Sequence, residues 1–126
     1  MKNTIVSLTI FFLLFISCII SHNILINKLD DLNKTIIAIE NHINNNRWDT
    51  ADDLINRTIE EFKTDSPFIS FIVSNEIVEN IEDSLEYISF YISEKDKFSS
   101  LFFSNKSKMN INSVIESQKI NLKNIF

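Results

Sequence analysis

The stretch LINKLDDLNKTIIAIENHI, residues 25–43, decides the fold of this 126-residue chain. Its leucines and isoleucines recur at alternating intervals of four and three residues, a spacing that keeps apolar side chains on one side of an α-helix. The polar residues between them suit a solvated opposite side. The stretch therefore predicts an amphipathic helix with a buried seam made of Leu25, Leu29, Leu32, Ile36, Ile39 and Ile43.

The segment before this seam is apolar on all sides. Residues 5–20, IVSLTIFFLLFISCII, contain no charged side chain. A helix from Thr4 to Ile26 would be about 35 Å long, enough to cross a hydrocarbon layer of about 30 Å. Each Ile, Leu, Phe or Val favours insertion by about 0.3–0.6 kcal/mol. The sequence predicts a transmembrane signal anchor at residues 1–26 and a helical ectodomain at residues 27–126.

Two other fates of the apolar segment compete with the anchor. A cleaved signal peptide needs a small-x-small site, and none follows the apolar run. A lipoprotein needs a small residue before its cysteine, which FISC supplies at Cys18, but Phe15 fits that motif poorly and two isoleucines continue the apolar run. We favour the uncleaved anchor, and lipidation of Cys18 stays open.

The flanking charges predict the orientation. The short N-terminal tail carries Lys2 and the α-amino group, whereas Lys28 and Lys34 on the other flank are mixed with acids. A short tail ahead of a signal anchor usually stays in the cytoplasm. We expect a single-pass protein of the cell membrane whose C-terminal domain is extracytoplasmic.

The rest of the chain keeps the helical period between short polar breaks. The chain has no glycine, and asparagines 44–46 can end the first helix because Asn accepts the left-handed conformation. A second helix is expected from Asp49 as its N-cap. The DSP at 65–67 should break it and start the third, and Asp96 should cap a fourth helix over about residues 97–119.

Each later helix has a predicted apolar face. Short helices are marginal alone in water, but facing stripes can bury one another in a bundle with short loops. We predict an all-α fold in which a transmembrane helix continues into an antiparallel bundle of three to four helices. The alternative is a homo-oligomer through the seam at 25–43, which is shorter than three heptads. The predicted faces are Ala51, Leu54, Ile55, Thr58, Ile59 and Phe62; then Phe71, Val78, Ile81, Leu85, Ile88 and Ile92; then Phe98, Leu101, Phe102, Met109, Val114 and Ile115.

Composition and charge exclude several classes of function. The net charge of −5 argues against nucleic acid, since duplex binding rests on phosphate neutralisation by Lys and Arg. Phosphate-cradling loops need glycine, and a single cysteine permits neither an intramolecular disulfide nor a cysteine zinc cluster. His22 and His42 lie at opposite ends of one predicted helix, and the acids of the third helix fit a solvated face. We expect no catalytic, cofactor-binding or metal-binding residue, and no enzyme activity.

The candidate contact surface lies near the C-terminus. Neighbouring phenylalanines 102 and 103 cannot both face one core, and INLKNIF ends the chain as an apolar tail. An exposed apolar patch on an anchored domain would contact a partner or the membrane surface, unless the tail folds back on the bundle. The predicted contact residues are Phe102, Phe103, Leu122, Ile125 and Phe126.

Trp48, the single tryptophan, lies in NNNRWDTADDLI at residues 44–55. It stands three residues before Ala51, where its ring can cover the end of the first hairpin while the small alanine lets two helices approach. We interpret Trp48 as a clasp of this hairpin rather than as a recognition residue.

The order of these features resembles a known family. The features are MKNTIVSLTIFFLL at the start, Trp48 with Ala51, FIVSNEIVENIEDSLEYI at 71–88, an aspartate after the third helix, and the ending INLKNIF. They resemble short bacterial proteins of unknown function with a membrane anchor and a small helical domain. The resemblance covers the whole chain and implies an envelope location and a multi-pass membrane protein as partner, but no activity.

Two functional hypotheses follow. The first is a non-catalytic interaction module of the envelope that acts on a membrane partner. The second is an extracytoplasmic sensor that binds a small ligand within the bundle. A core rich in phenylalanine with a few convergent polar groups would favour the sensor, whereas a fully packed core would favour the interaction module.

Overall fold

The computed structural model describes residues 1–125 and consists of four α-helices joined by short turns. The helices are α1 (Lys2–Asn44), α2 (Trp48–Ser70), α3 (Asn75–Ser93) and α4 (Lys97–Ile125). Consecutive helices pack side by side, and α4 returns to pack against α1. The result is an antiparallel four-helix bundle, with no strand among the described residues. The predicted all-α fold is confirmed.

The two halves of α1 have different surroundings. No side chain between Lys2 and Ile24 is buried, and this part of the helix is long and apolar enough to cross a membrane. From Leu25 onward the predicted seam lies in the core, with only Leu32 half-buried. The other helices of the same chain cover this seam, so an intact bundle does not offer it to a second copy.

The first turn forms as the sequence predicts. Asn46 adopts a φ of 58°, in the left-handed region, and the N–H of Arg47 donates to the carbonyl of His42. Asparagine is the residue best suited to this conformation in a chain without glycine. The terminator predicted at 44–46 is confirmed.

The turn between α3 and α4 also forms where the sequence places it. Lys95 adopts a φ of 54°. Asp96 then caps α4, because its Oδ1 accepts a hydrogen bond of 3.0 Å from the N–H of Ser99. The predicted cap is confirmed.

Two predicted helix starts are wrong. α2 begins at Trp48, so Asp49 lies in the first turn, where its charge favours the positive end of the helix dipole, and is not the N-cap. The DSP at 65–67 does not break α2, which continues through Pro67 to Ser70. The third helix therefore begins at Asn75, and Phe71 lies in the preceding turn with 91% of its surface exposed.

Local hydrogen bonds explain why Pro67 is tolerated. A proline inside a helix cannot donate to the carbonyl four residues before it, here that of Lys63. The hydroxyl of Ser66 donates to this carbonyl instead, at 2.9 Å. Ser74 supplies the actual cap of α3, since its Oγ accepts the N–H of Ile77 at 3.4 Å. The break therefore covers residues 71–74, four to seven residues beyond the proline.

The predicted apolar face of α4 is wrong at three of its six positions, whereas Ile115 is buried and Leu101 and Val114 pack against the core. Phe98, Phe102 and Met109 are 81%, 54% and 64% exposed, and the helix continues past Lys119 to Ile125. The buried face is mainly polar, and the hydroxyl of Ser104 donates to the carbonyl of Ser100 at 2.7 Å, within the helix. We call this face the serine stripe: Ser100, Ser104, Ser107, Ile111, Ile115 and Gln118.

Polar contacts align α4 against α1. The amide of Asn33 donates to Oδ1 of Asn112 at 2.6 Å, and the ammonium of Lys108 forms a half-buried ion pair with Glu40. Because buried polar partners fit only one alignment, these pairs fix the relative position of the two helices. Asn112 is not among the residues predicted for the buried face of α4.

Candidate functional site

Six aromatic side chains of α3 and α4 form one connected cluster, which we call the aromatic patch. Phe103 lies at its centre, with ring centroids 5.1 Å from Tyr87, 5.3 Å from Tyr91 and 5.4 Å from Phe102. Phe90 contacts Tyr91, and Phe98 contacts Phe102. These separations suit favourable ring pairs, so the rings support one another at the surface.

The patch is exposed because of the way the two helices bury their other faces. α3 turns Ile88 and Ile92 into the core, which leaves Tyr87 and Phe90 outside at 53% and 55% exposure. α4 buries the serine stripe and turns Phe98 outward. A contiguous surface of several half-exposed aromatic rings is typical of a contact site, where Tyr and Phe are enriched.

The patch lies at the end of the bundle remote from the apolar segment. The turns after α1 and after α3 meet there, since the ammonium of Lys97 donates to the carbonyl of Asn44 at 3.3 Å. α1 is continuous from Ile20 to Asn44, a rise of about 36 Å at 1.5 Å per residue. The patch is thus held some 30 Å beyond the apolar half of α1.

The structure separates the contact residues that the sequence grouped together. Phe102 and Phe103 lie in the patch, whereas Leu122 is half-buried about 29 Å further along α4. Ile125 forms the last residue of α4, but its side chain and the whole of Phe126 lie outside the described residues. The predicted single surface is therefore two regions at opposite ends of the bundle.

Sequence reasoning missed the share of α3 in the patch. Tyr87, Phe90 and Tyr91 lie between the seam positions of α3, and this spacing already excludes them from the core face. Phe98 was placed in the core of α4 because of its size. The available signal was the pairing of Phe98 with Phe102 at a distance of four residues, which puts both rings on one helix face.

Trp48 performs the predicted clasp. Its ring is half-buried against the hydrophobic core, and Ala51 one turn later is fully buried. Beside it, Nε of Arg47 donates to Nδ1 of His42 at 3.0 Å, which ties the start of α2 to the end of α1. The predicted packing of Trp48 at the end of the first hairpin is confirmed.

Titratable groups form no catalytic constellation in the described part of the chain. His22 and His42 are about 30 Å apart on α1, and no three metal-ligating side chains of residues 1–125 converge. The acids of α3 lie on its outer side, where Glu86 pairs with Lys63 at 3.3 Å. The backbone N–H of Ser99, and then its hydroxyl, lower the pKa of the Asp96 carboxyl, which reflects its role as a cap.

The bundle has open clefts between its helices. One of about 310 Å³ lies between α3 and α4, where Ile77, Ile81 and Val114 meet the polar side chains of Asn80 and Gln118. The core is built of Ile and Leu, and Phe62 is the single phenylalanine among the buried residues of the described chain. The phenylalanine-rich core that would favour a sensor is absent from residues 1–125.

The comparisons with known proteins identify a family. A family model described as a domain of unknown function (DUF4363) matches residues 19–125. No curated protein and no solved structure matches the chain. The matched region includes the whole bundle and begins within α1, after most of the apolar segment. It confirms the expected family of unknown function and leaves the anchor and the tail motif as predictions. The chain belongs to the DUF4363 family.

Proposed function

We propose that this protein is a single-pass membrane protein whose helical bundle is a non-catalytic interaction module. In this proposal the aromatic patch binds a protein partner at the cell membrane, on the extracytoplasmic side. The observation that carries the proposal is the patch itself: Tyr87, Phe90 and Phe102 are more than half exposed, and Phe98 more than three-quarters. A water-soluble helix surface without a partner has no need of four such rings.

The first half of α1 supports the anchoring. Most of its isoleucine, leucine and phenylalanine side chains are exposed, and no charge interrupts them between Lys2 and Lys28. Exposed side chains of this kind are stable in hydrocarbon and unfavourable in water. The orientation proposed from the flanking lysines places the bundle outside the cytoplasm.

The surroundings of the patch indicate the chemistry of its partner. Asp83 and Glu86 border the rings of Tyr87 and Phe90 on α3. Aromatic residues at the centre of an interface contribute most of the binding free energy, and the charged rim directs the encounter. We therefore expect an apolar surface on the partner with mixed charges at its edge, since Lys106 also borders Tyr87 and Phe103, and Glu86 is already paired with Lys63. A multi-pass membrane protein is suitable if its extracytoplasmic part rises about 30 Å from the membrane.

A capture experiment with the full tagged chain in native membranes tests this function. The variant F98S/F102S removes two exposed rings, and M109S/I37S removes two apolar side chains that are 64% and 47% exposed outside the patch. After crosslinking, we expect the patch variant to capture the wild-type partner at least about tenfold less well, because hot-spot residues contribute about 2 kcal/mol or more. The control variant should capture it normally.

The contrary result is equally clear. If F98S/F102S keeps the helical content of the wild type and captures the same partner equally well, the patch is not the contact site. Equal loss in both variants would show that capture depends on general surface hydrophobicity and would contradict a specific site.

One observation favours a sensor as the second candidate. Oε1 of Gln118 is buried at the edge of the cleft between α3 and α4 and has no hydrogen-bond partner among residues 1–125. A small ligand with a hydrogen-bond donor and an apolar part would satisfy it. Thermal unfolding of the full chain in nanodiscs against a metabolite set tests this: a sensor requires a ligand that raises Tm in the wild type but not in Q118L.

A further inference from the structure

We propose that the end of the bundle nearest the apolar segment is seated in the lipid headgroup layer, with the turn after α2 inserting Phe71 at the membrane interface. This inference rests on the proposed anchoring by α1 and goes beyond it, because it makes the folded domain a second membrane contact. We call the surface concerned the proximal end; it consists of Ile24, Phe71, Ile72, Ile120 and Leu122.

Interhelical contacts place these residues at one level along α1. The ammonium of Lys28 lies 3.1 Å from Oδ1 of Asp65, which aligns α2 against α1. α2 then continues antiparallel for five residues, about 8 Å, before its terminal turn. Phe71 is thereby brought to the level of about the twenty-third residue of α1.

α4 reaches the same level from the other side. Its Asn112 is hydrogen-bonded to Asn33, and eight residues, or about 12 Å, separate Asn112 from Ile120. Ile120 therefore lies close to the level of Leu25, the first buried residue of α1. The turn after α2 and the part of α4 around Ile120 therefore lie beside the same part of α1.

The length of the apolar segment places the membrane boundary at this level. About 20 residues of helix cross the hydrocarbon layer. Counted from Asn3, just after the last charge of the N-terminal flank, they end close to His22 and Asn23. α1 has no break here, so the proximal end lies within about one helical turn of the hydrocarbon. The headgroup layer of one leaflet is about 5–7 Å deep, which includes this level.

The exposed residues of the proximal end suit this location. Phe71 is 91% exposed, Ile120 57% and Ile24 41%, although each stands beside a tightly packed core. Exposed Phe and aliphatic side chains that enter the boundary between headgroups and acyl chains, with lysines on the polar side, are typical of protein surfaces that lie at a membrane interface. Lys119 and Lys123 supply the lysines, both exposed on the last turns of α4.

Tryptophan fluorescence of the full chain in lipid vesicles tests the proposal. Substitution W48F removes the native indole, and F71W then reports on the turn. F98W reports on a comparably exposed site at the remote end, and F11W reports on the anchor itself. Lipids brominated in their acyl chains quench indoles that enter the membrane, whereas acrylamide quenches those in water. We expect the F71W indole to be quenched by brominated lipid at least about twice as strongly as the F98W indole, and less strongly by acrylamide.

The three reporters separate the possible failures. If the F11W indole is quenched by brominated lipid while the F71W indole behaves like that of F98W, the anchor stands and this inference is overturned. If the F11W indole is not quenched by lipid, the anchoring itself fails, and the inference fails with it. Protection of the F71W indole from both quenchers would place protein over the turn and would also overturn lipid seating.

A second version of the experiment guards against a folding defect. If W48F lowers the helical content, F71W is made in the wild-type background, and the emission of the native Trp48 is subtracted as measured in the unaltered chain. Trp48 lies at the remote end, so its own response to brominated lipid should be small.

Discussion

α1 and α4 pack against each other along most of the bundle, yet α1 buries mainly aliphatic side chains and α4 mainly polar ones. α1 turns aliphatic residues inward, and Leu25, Ile36 and Ile39 are wholly buried. α4 turns its serine stripe inward and leaves Phe98 and Phe102 on the surface. Because serine side chains are small, the α4 backbone can approach the core closely. Less apolar side-chain volume is then needed to fill the space between the helices. The comparison shows that the largest residues of a helix can remain on the surface when small polar ones supply much of its buried face.

The largest expected effect on stability comes from truncating a buried isoleucine of α1, and truncating a larger phenylalanine of α4 should cost less. Truncation of Ile39 in α1 leaves a cavity in the core, so I39A should lower the free energy of unfolding by about 2–5 kcal/mol. F102A removes a larger side chain from a half-exposed position, together with its contacts to two other rings, and should lower it by only about 0.5–1.5 kcal/mol. Thermal and denaturant unfolding of the full chain in nanodiscs, followed by circular dichroism, measures both. A greater loss for F102A than for I39A would mean that α4 faces the core with its aromatic side.

A second pair of variants tests the serine stripe. Ser104 is fully buried, so S104L adds volume where α4 approaches the core and should destabilise the bundle by about 1–3 kcal/mol. Ser113 is exposed on the same helix, and S113L should have an effect within about 0.5 kcal/mol. S104A should be close to neutral, since the hydroxyl only bonds a carbonyl of its own helix. If both leucine variants are equally stable, close packing of α4 is contradicted.

The smallest expected effect on stability concerns the N-terminal caps of α1 and α4. No side-chain hydrogen bond caps α1, whereas Asp96 caps α4. Hydrogen bonds from the backbone N–H and then the hydroxyl of Ser99 lower the pKa of Asp96 in the folded chain. Its stabilisation is therefore present above the ordinary carboxyl pKa and is lost as the pH falls through the lowered value.

The measurement for Asp96 compares two caps. The Tm difference between wild type and D96A should be small near neutral pH and should shrink further in acid. S74A removes the cap of α3, which does not titrate, so its Tm difference should stay constant over the same pH range. A D96A difference that is independent of pH would show that the carboxylate charge contributes nothing to the cap.

Buried residues could be predicted from the sequence wherever isoleucine and leucine recur with the helical period. The seams of α1 and α3 were predictable because isoleucine and leucine at intervals of three and four are typical of the buried face of a helix. The face of α4 was not, because serine is compatible with both core and solvent, and phenylalanine was assumed to be buried. The break at DSP was mistaken for a related reason: the hydrogen bond from Ser66 to Lys63 replaces the one that Pro67 cannot make.

The candidate site was predictable only in part. Adjacency alone showed that Phe102 and Phe103 could not both be buried, and this correctly directed attention to one part of the patch. Which residues of α3 join the aromatic patch depends on how α3 and α4 are aligned. Contacts between the two helices, such as the stacking of Tyr87 on Phe103, determine this alignment. The grouping with Leu122 failed because the tail extends α4 away from the patch.

The unbroken course of α1 has a consequence for how encounters take place. Forty-three residues without a hinge form a rigid rod about 65 Å long. If α1 is anchored in the membrane as proposed, the aromatic patch stays at a fixed height above the lipid. A flexible tether would instead let the patch move to many heights. As the protein diffuses in the membrane, the aromatic rings move within a thin layer parallel to the lipid surface. They can contact only molecules whose own surfaces extend into that layer. Partners would thus be selected first by how far they extend from the membrane and only then by the chemistry of their surfaces.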